Sequence, residues 1–219
     1  EIDEIPEAAA RLAGSEAQAE IAEVAGRLHR LDTPALVTVA RGSSDHAATY
    51  LKYAIEIATG RPVASVGPSV VSVYGTQMRG AGLCAIAISQ SGSSADLGQL
   101  ARGLARGGGT LVALTNTAGS PLAEAAHHVI DVRAGPERAI AATKSFFNSV
   151  VSGLWVLASW TGDTALSDAL HCLPDRLRAE PYEPAPLDAA LAGADRCTVI
   201  GRGPALGLAF EVSVKLIET

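Results

Sequence analysis

Short apolar runs alternate with stretches of helical period along most of the chain. The runs Ala35–Val39, Val63–Val66, Leu83–Ile88, Thr110–Leu114 and His128–Val132 are four to six residues long and largely unbroken by polar positions. That pattern predicts strands buried on both faces. Between most of them lie helical stretches, at His46–Ala58, Ala95–Arg106 and Pro121–Ala126. The alternation predicts an α/β domain, a three-layer αβα sandwich around a parallel sheet of about five strands.

Helical patterns flank this unit. Residues 1–30 form an N-terminal helical segment in which Pro6 suits a helix start and Leu12, Ile21, Val24 and Leu28 recur at helical spacing around a break at Gly14-Ser15. A long helix is expected from near Ala142 through Val150, Leu154 and Ala158, and another over Leu166–Leu177. These bound a first domain at residues 31–178, after which Pro181, Pro184 and Pro186 mark a linker, residues 179–194. The pattern then restarts. Arg196-Cys197-Thr198-Val199-Ile200-Gly201-Arg202-Gly203 echoes Leu36-Val37-Thr38-Val39-Ala40-Arg41-Gly42-Ser43, so residues 195–219 read as the first strand and helix of a second, truncated copy. An opening at Glu1 without methionine and a stop at Thr219 inside a helical pattern suggest a fragment.

Composition narrows the function. With 219 residues, 48% hydrophobic and 18% charged, the chain supports a real core. A net charge of −6 without any Lys/Arg block argues against nucleic acid or an anionic membrane as partner. Cys84, Cys172 and Cys197 are odd in number and lack CxxC spacing, which fits a reducing cytoplasm. Neither a signal peptide nor a membrane-spanning run is evident.

The candidate chemistry sits where strands end. Ala85-Ile86-Ala87-Ile88 runs directly into Ser89-Gln90-Ser91-Gly92-Ser93-Ser94, with a helix expected next. Hydroxyls, loop N–H groups and the positive end of a helix dipole suit a phosphate; a serine-rich turn with Ser91 or Ser94 as N-cap accounts for the same residues. Two more polar loops, Arg41-Gly42-Ser43-Ser44 and Ala134-Gly135 through Thr143-Lys144, follow predicted strands and fall on the same sheet edge. Their convergence favours a ligand site.

Arg41-Gly42-Ser43-Ser44, Ser89 through Asp96, Thr115-Asn116, Gly135-Pro136-Glu137, Ala141-Ala142-Thr143-Lys144 and Gly201-Arg202-Gly203 together resemble the sugar isomerase (SIS) family. Within it the chain is similar to standalone glucosamine-6-phosphate deaminases and to the isomerase half of glutamine–fructose-6-phosphate aminotransferase. The resemblance implies a flavodoxin-like SIS domain. It also implies that Ser44, Ser89, Gln90, Ser91 and Ser94 hold the phosphate of a hexose 6-phosphate, that Ser43 contacts the sugar, and that the backbone around Ile140–Ala142 lines its other side. Ala142 replaces a serine usual in the synthases, and Arg41 replaces their cysteine.

Glu211, Lys215 and Glu218 fall on one face of an otherwise apolar helix. Spacing alone allows a solvated face with a Glu-to-Lys pair. The family resemblance implies that Glu218 moves a proton between C1 and C2 of the open-chain sugar with Lys215 nearby, and that no cofactor or metal is needed. It further implies glucosamine 6-phosphate as substrate, fructose 6-phosphate and ammonia as products, and a homodimer. The aminotransferase reaction and a non-catalytic sugar-phosphate sensor are the alternatives. Gly201-Arg202-Gly203-Pro204-Ala205-Leu206-Gly207 is one residue off dinucleotide-binding spacing, and Gly107-Gly108-Gly109 lacks the Lys-Ser/Thr of a P-loop. His127 and His128 are adjacent, hence on opposite strand faces, and unsuited to one metal. His46, early in its helix, suits a cap or packing role or a substrate contact.

Overall fold

In the computed structural model, which describes residues 1–180, 183 and 185–218, a 3-10 turn at Ile2–Glu4 leads into α1 (Ile5–Leu12) and α2 (Ser15–Leu31). The expected break falls between them. The chain continues through β1 (Leu36–Val39), α3 (Ser43–Thr59), β2 (Val63–Ser65), α4 (Ser69–Ser72), β3 (Cys84–Ser89), α5 (Ala95–Arg106), β4 (Thr110–Thr115), α6 (Pro121–Ala125) and β5 (His128–Asp131). It then folds into α7 (Lys144–Thr161), α8 (Thr164–Ala179), α9 (Ala185–Leu191) and α10 (Ala205–Glu218).

All five strands are parallel, in the order β2-β1-β3-β4-β5. Because the chain reverses its direction of travel between β1 and β3, their carboxyl ends border the topological switch point, the usual ligand crevice of such a sheet. The loops Arg41–Ser44 and Ser89–Ser94 leave those two strand ends.

Alternating side chains explain the two helix layers. One sheet face presents Leu36, Ile86, Ile88, Val112, Leu114 and Ile130 to a core that includes Val24, Leu28, Leu51, Ile55, Val151 and Trp155. The other presents the smaller Val37, Val39, Ala85, Ala87 and Ala113, and Leu97, Leu100 and Leu104 of α5 fill the space these leave.

Three boundaries differ from expectation. The long helix starts at Lys144 rather than near Ala142, because Glu137 accepts from the N–H of Thr143 and Ser145 and fixes the first turn there. The linker is partly helical: Pro186 lies in the first turn of α9, where its missing N–H costs nothing; Pro181 and Pro184 lie outside the described residues. The segment expected as a second-copy strand, 196–200, joins no ladder among the described residues, and Ile200 is exposed. Strands need a hydrogen-bonded neighbour, and no described strand lies beside it. The helix after it does form, as α10.

Helix α10 lies against α3, and one residue sets their separation. A Cβ on Gly207 would stand 2.4 Å from the His46 carbonyl oxygen and 2.8 Å from the Tyr50 nitrogen, backbone atoms that cannot swing aside. Gly207→Val should therefore lower stability by about 1–3 kcal/mol. An unchanged melting temperature would show that the two helices do not meet at this residue.

Candidate active site

The serine loop after β3 is built around its glycine. Gly92 adopts φ +61°, and a Cβ there would stand 2.0 Å from Ser120 Oγ. Its N–H donates to Ser89 Oγ at 3.1 Å, and its carbonyl accepts from Leu122 N at 3.1 Å. Gln90 is tied by its backbone: its carbonyl accepts from Asn116 N at 3.0 Å, leaving the exposed side chain outside the loop. Ser91 Oγ accepts from Ser93 N at 3.3 Å. Ser94 is the N-cap of α5, yet its hydroxyl makes no cap bond and donates instead to Asp96 Oδ1 at 2.6 Å. That bond, with the Leu97 N–H and the Arg41 guanidinium, holds the Asp96 carboxyl below the usual carboxylate range. Ser89, Gln90, Ser91 and Ser94 thus share one short loop at the switch point.

Across the crevice, Gly42 caps α3, which opens with the half-buried Ser43 and Ser44. Lys215 reaches this end from α10 and donates to Ser43 Oγ at 3.2 Å. Its ammonium also lies 3.0 Å from Glu211 Oε1 and 3.2 Å from Glu218 Oε2. Partial burial pulls the Lys215 pKa down, but the two carboxylates outweigh it and leave the group above its ordinary range.

The two acids differ in setting. Glu218 is 45% exposed, whereas the Glu211 side chain is 8% exposed and also lies 2.7 Å from His46 Nδ1. Glu211 is the covered acid because it sits on the side of α10 turned to α3. The Phe210 ring covers His46, with centroids 5.8 Å apart. Glu211 and His46 are joined here, a pairing that the sequence did not indicate. The visible signal was an acid at i, i+4 to Lys215 in an apolar helix.

The third loop, residues 134–143, is pinned from three sides. Asn116 donates to the Gly135 carbonyl and accepts from Ala134 N, both at 2.8 Å. Glu137 receives the Ser145 hydroxyl as well as the Thr143 and Ser145 N–H groups. Glu1 Oε1 accepts from Arg138 N at 2.8 Å. Gln90 and Gly135–Glu137 face each other across an open cleft of about 970 Å³ beside the switch point. The serines of the loop after β3 do not line that cleft. Its two arginines, Arg11 and Arg133, are committed to carbonyls and to Glu16 and Glu20. Ala142 is half-buried and the Ile140 side chain is fully exposed.

Lys144, 1% exposed, anchors this loop to the N-terminal turn. Its ammonium meets Glu1 Oε2 at 2.9 Å, Glu4 Oε2 at 2.7 Å and the Pro136 carbonyl at 2.8 Å, an acceptor for each proton. Its hydrogen bonds hold the Glu1 pKa at about 2, against an ordinary 4.5, and lower that of Glu4. A depressed folded-state carboxylate contributes stability above its unfolded pKa and loses it as pH falls through the folded one. Lys144→Met should therefore be less stable than the wild type at pH 7, with the difference in urea midpoint shrinking as pH falls from 4.5 toward about 2. A pH-independent difference would mean that lost packing, not the charge cluster, is responsible.

A doubly wound parallel sheet with serine-lined loops at its switch point defines an α/β small-molecule-binding domain. Residues 32–159 match the SIS domain model, and the chain belongs to the SIS domain family. It is 34% identical over 199 residues to glutamine–fructose-6-phosphate aminotransferase [isomerizing] from Halobacterium salinarum, covering 84% of this chain and 32% of that one. The chain thus spans about a third of the length of the aminotransferases it matches. A candidate phosphosugar isomerase from Silicibacter pomeroyi superposes with a TM-score of 0.95 at 45% identity, over 100% of this chain and 67% of the other. The C-terminal domain of glucosamine-fructose-6-phosphate aminotransferase from Francisella tularensis shares the fold, with a TM-score of 0.74 at 22% identity over 99% and 65% of the two chains. Among the described residues no helix is long and apolar enough to cross a membrane.

Proposed function

We propose that this chain supplies the sugar-phosphate cradle and part of the catalytic machinery of an amino-sugar-phosphate isomerase. Its substrate is glucosamine 6-phosphate, which it converts to fructose 6-phosphate and ammonia. The observation that carries the reading is the Lys215–Ser43 bond, which brings the acid-bearing helix to the edge where the serine loop lies. A phosphate on Ser44, Ser89, Ser91 and Ser94, with the Gln90 backbone, would leave the carbon chain directed toward Ser43, Lys215 and Glu218.

The chemistry needs little more than a mobile proton. In the open-chain amino aldehyde, a base takes the proton from C2, the electron pair forms the enolamine, and the same proton returns to C1. This leaves an imine at C2, which water hydrolyses to the ketone, releasing ammonia. Glu218 is the base in this reading. Lys215 tempers the negative charge that builds on oxygen as the enolamine forms.

Incubation of the protein with glucosamine 6-phosphate should release equimolar fructose 6-phosphate and ammonia. Absence of both products, with fructose 6-phosphate still bound, would overturn the deaminase reading. The similarity to the aminotransferases favours a second reading, in which ammonia derived from glutamine is added to fructose 6-phosphate by the reverse proton transfer. Formation of glucosamine 6-phosphate from fructose 6-phosphate and glutamine, with no ammonia released from glucosamine 6-phosphate in the forward assay, would favour that reading.

A further inference from the structure

The residues assigned to the phosphate, Ser44, Ser89, Gln90, Ser91 and Ser94, are all neutral. One ion pair nevertheless crosses the rim of the crevice. Arg41, from the loop after β1, contacts Asp96, in the first turn of α5, and so joins the two strand ends that border the switch point. Asp96 Oδ1 also accepts from Ser94 Oγ at 2.6 Å and from Leu97 N at 2.8 Å. One carboxylate therefore occupies a serine hydroxyl, a first-turn N–H and a guanidinium. Those are the donors that a phosphate at this helix start would use.

We propose that Arg41 is a phosphate-binding residue held on Asp96 until the sugar phosphate arrives, when its guanidinium passes from the carboxylate to the phosphate and the Ser94 hydroxyl follows. The exchange is feasible because the pair is open to solvent. Arg41 is 63% exposed, and an ion pair so exposed is weakened by solvent. A phosphate dianion offers more charge and a planar pair of oxygens that matches the guanidinium fork. Asp96 is then both the resting partner of Arg41 and a negative charge that opposes phosphate entry. Its presence favours ligands that carry a full dianion over weaker anions.

The proposal rests on the sugar-phosphate reading, and the sign of each substitution separates the two. By titration calorimetry with glucosamine 6-phosphate at low salt, Arg41→Gln should weaken binding about tenfold or more. Asp96→Asn keeps an acceptor for Ser94 and Leu97 while removing the charge, and should strengthen binding about threefold. The double variant discriminates. If Arg41 touches the phosphate, Arg41→Gln/Asp96→Asn stays weaker than the wild type; if Arg41 merely screens Asp96, it binds like the wild type, and the proposal is overturned. A wild type that binds no glucosamine 6-phosphate overturns the cradle reading and the proposal together. A wild type whose binding is lost in Ser89→Ala/Ser91→Ala but unchanged in Arg41→Gln overturns the proposal alone.

Discussion

Glutamine in place of Glu218 should leave glucosamine 6-phosphate binding within about threefold of the wild type and lower turnover by about 10²–10⁴-fold. The carboxamide keeps the size of the side chain and an acceptor for Lys215, so the ion-paired end of α10 is retained in outline. What it loses is the capacity to take up and return a proton. On the proposed function the serine loop, not Glu218, holds the phosphate, and Lys215 keeps its contacts with Ser43 and Glu211, so binding should be spared. Equilibrium binding and single-turnover rates, measured on the same preparation, separate these effects. Turnover within tenfold of the wild type would remove Glu218 as the base and leave Glu211, which shares Lys215 and is the more buried acid, as the next candidate.

The second large effect is expected at Gly92. Alanine there meets two independent obstacles: a backbone at φ +61° and a Cβ that would lie 2.0 Å from Ser120 Oγ and 2.4 Å from Ser120 Cβ. Ser120 has little freedom to retreat, since it is buried and its hydroxyl caps α6 by accepting from Ala123 N at 3.3 Å. Together the obstacles should cost about 2–4 kcal/mol of stability. The loop that survives would have lost the Gly92–Ser89 bond, so sugar-phosphate affinity should fall by about 100-fold or more. Adding Ser120→Gly removes both clashing atoms but not the backbone strain, and so should restore part of the stability. A Gly92→Ala variant with wild-type stability would contradict the loop geometry itself.

The strands were legible because a parallel sheet buries both faces, and an apolar run as short as Cys84–Ile88 suits a buried strand better than a helix. Helix α5 was equally clear, since Leu97, Leu100 and Leu104 repeat at helical spacing between a serine and a glycine. The lower part of α10 was read correctly as a helix, but its inward side was not. Spacing places Glu211, Lys215 and Glu218 on one face without saying which of them meets α3, and only the close approach at Gly207 decides that Glu211 is the covered one. Glu137 works locally, on the first turn of α7, whereas Lys144 reaches across the chain to Glu1 and Glu4. Local pattern carries no information about partners more than 100 positions away, such as the 140 that separate Lys144 from Glu4. Arg41 was noted as a departure from the family pattern; its pairing with Asp96 needed the fold.

The Lys215–Ser43 contact joins positions 172 residues apart, while the serine loop and the start of α3 lie within one early stretch of chain. During synthesis the start of α3 and the serine loop therefore leave the ribosome well before α10. On the proposed function the surface that holds the phosphate is made before the helix that carries Glu218, so a bound sugar phosphate is in a position to steady α3, against which α10 packs.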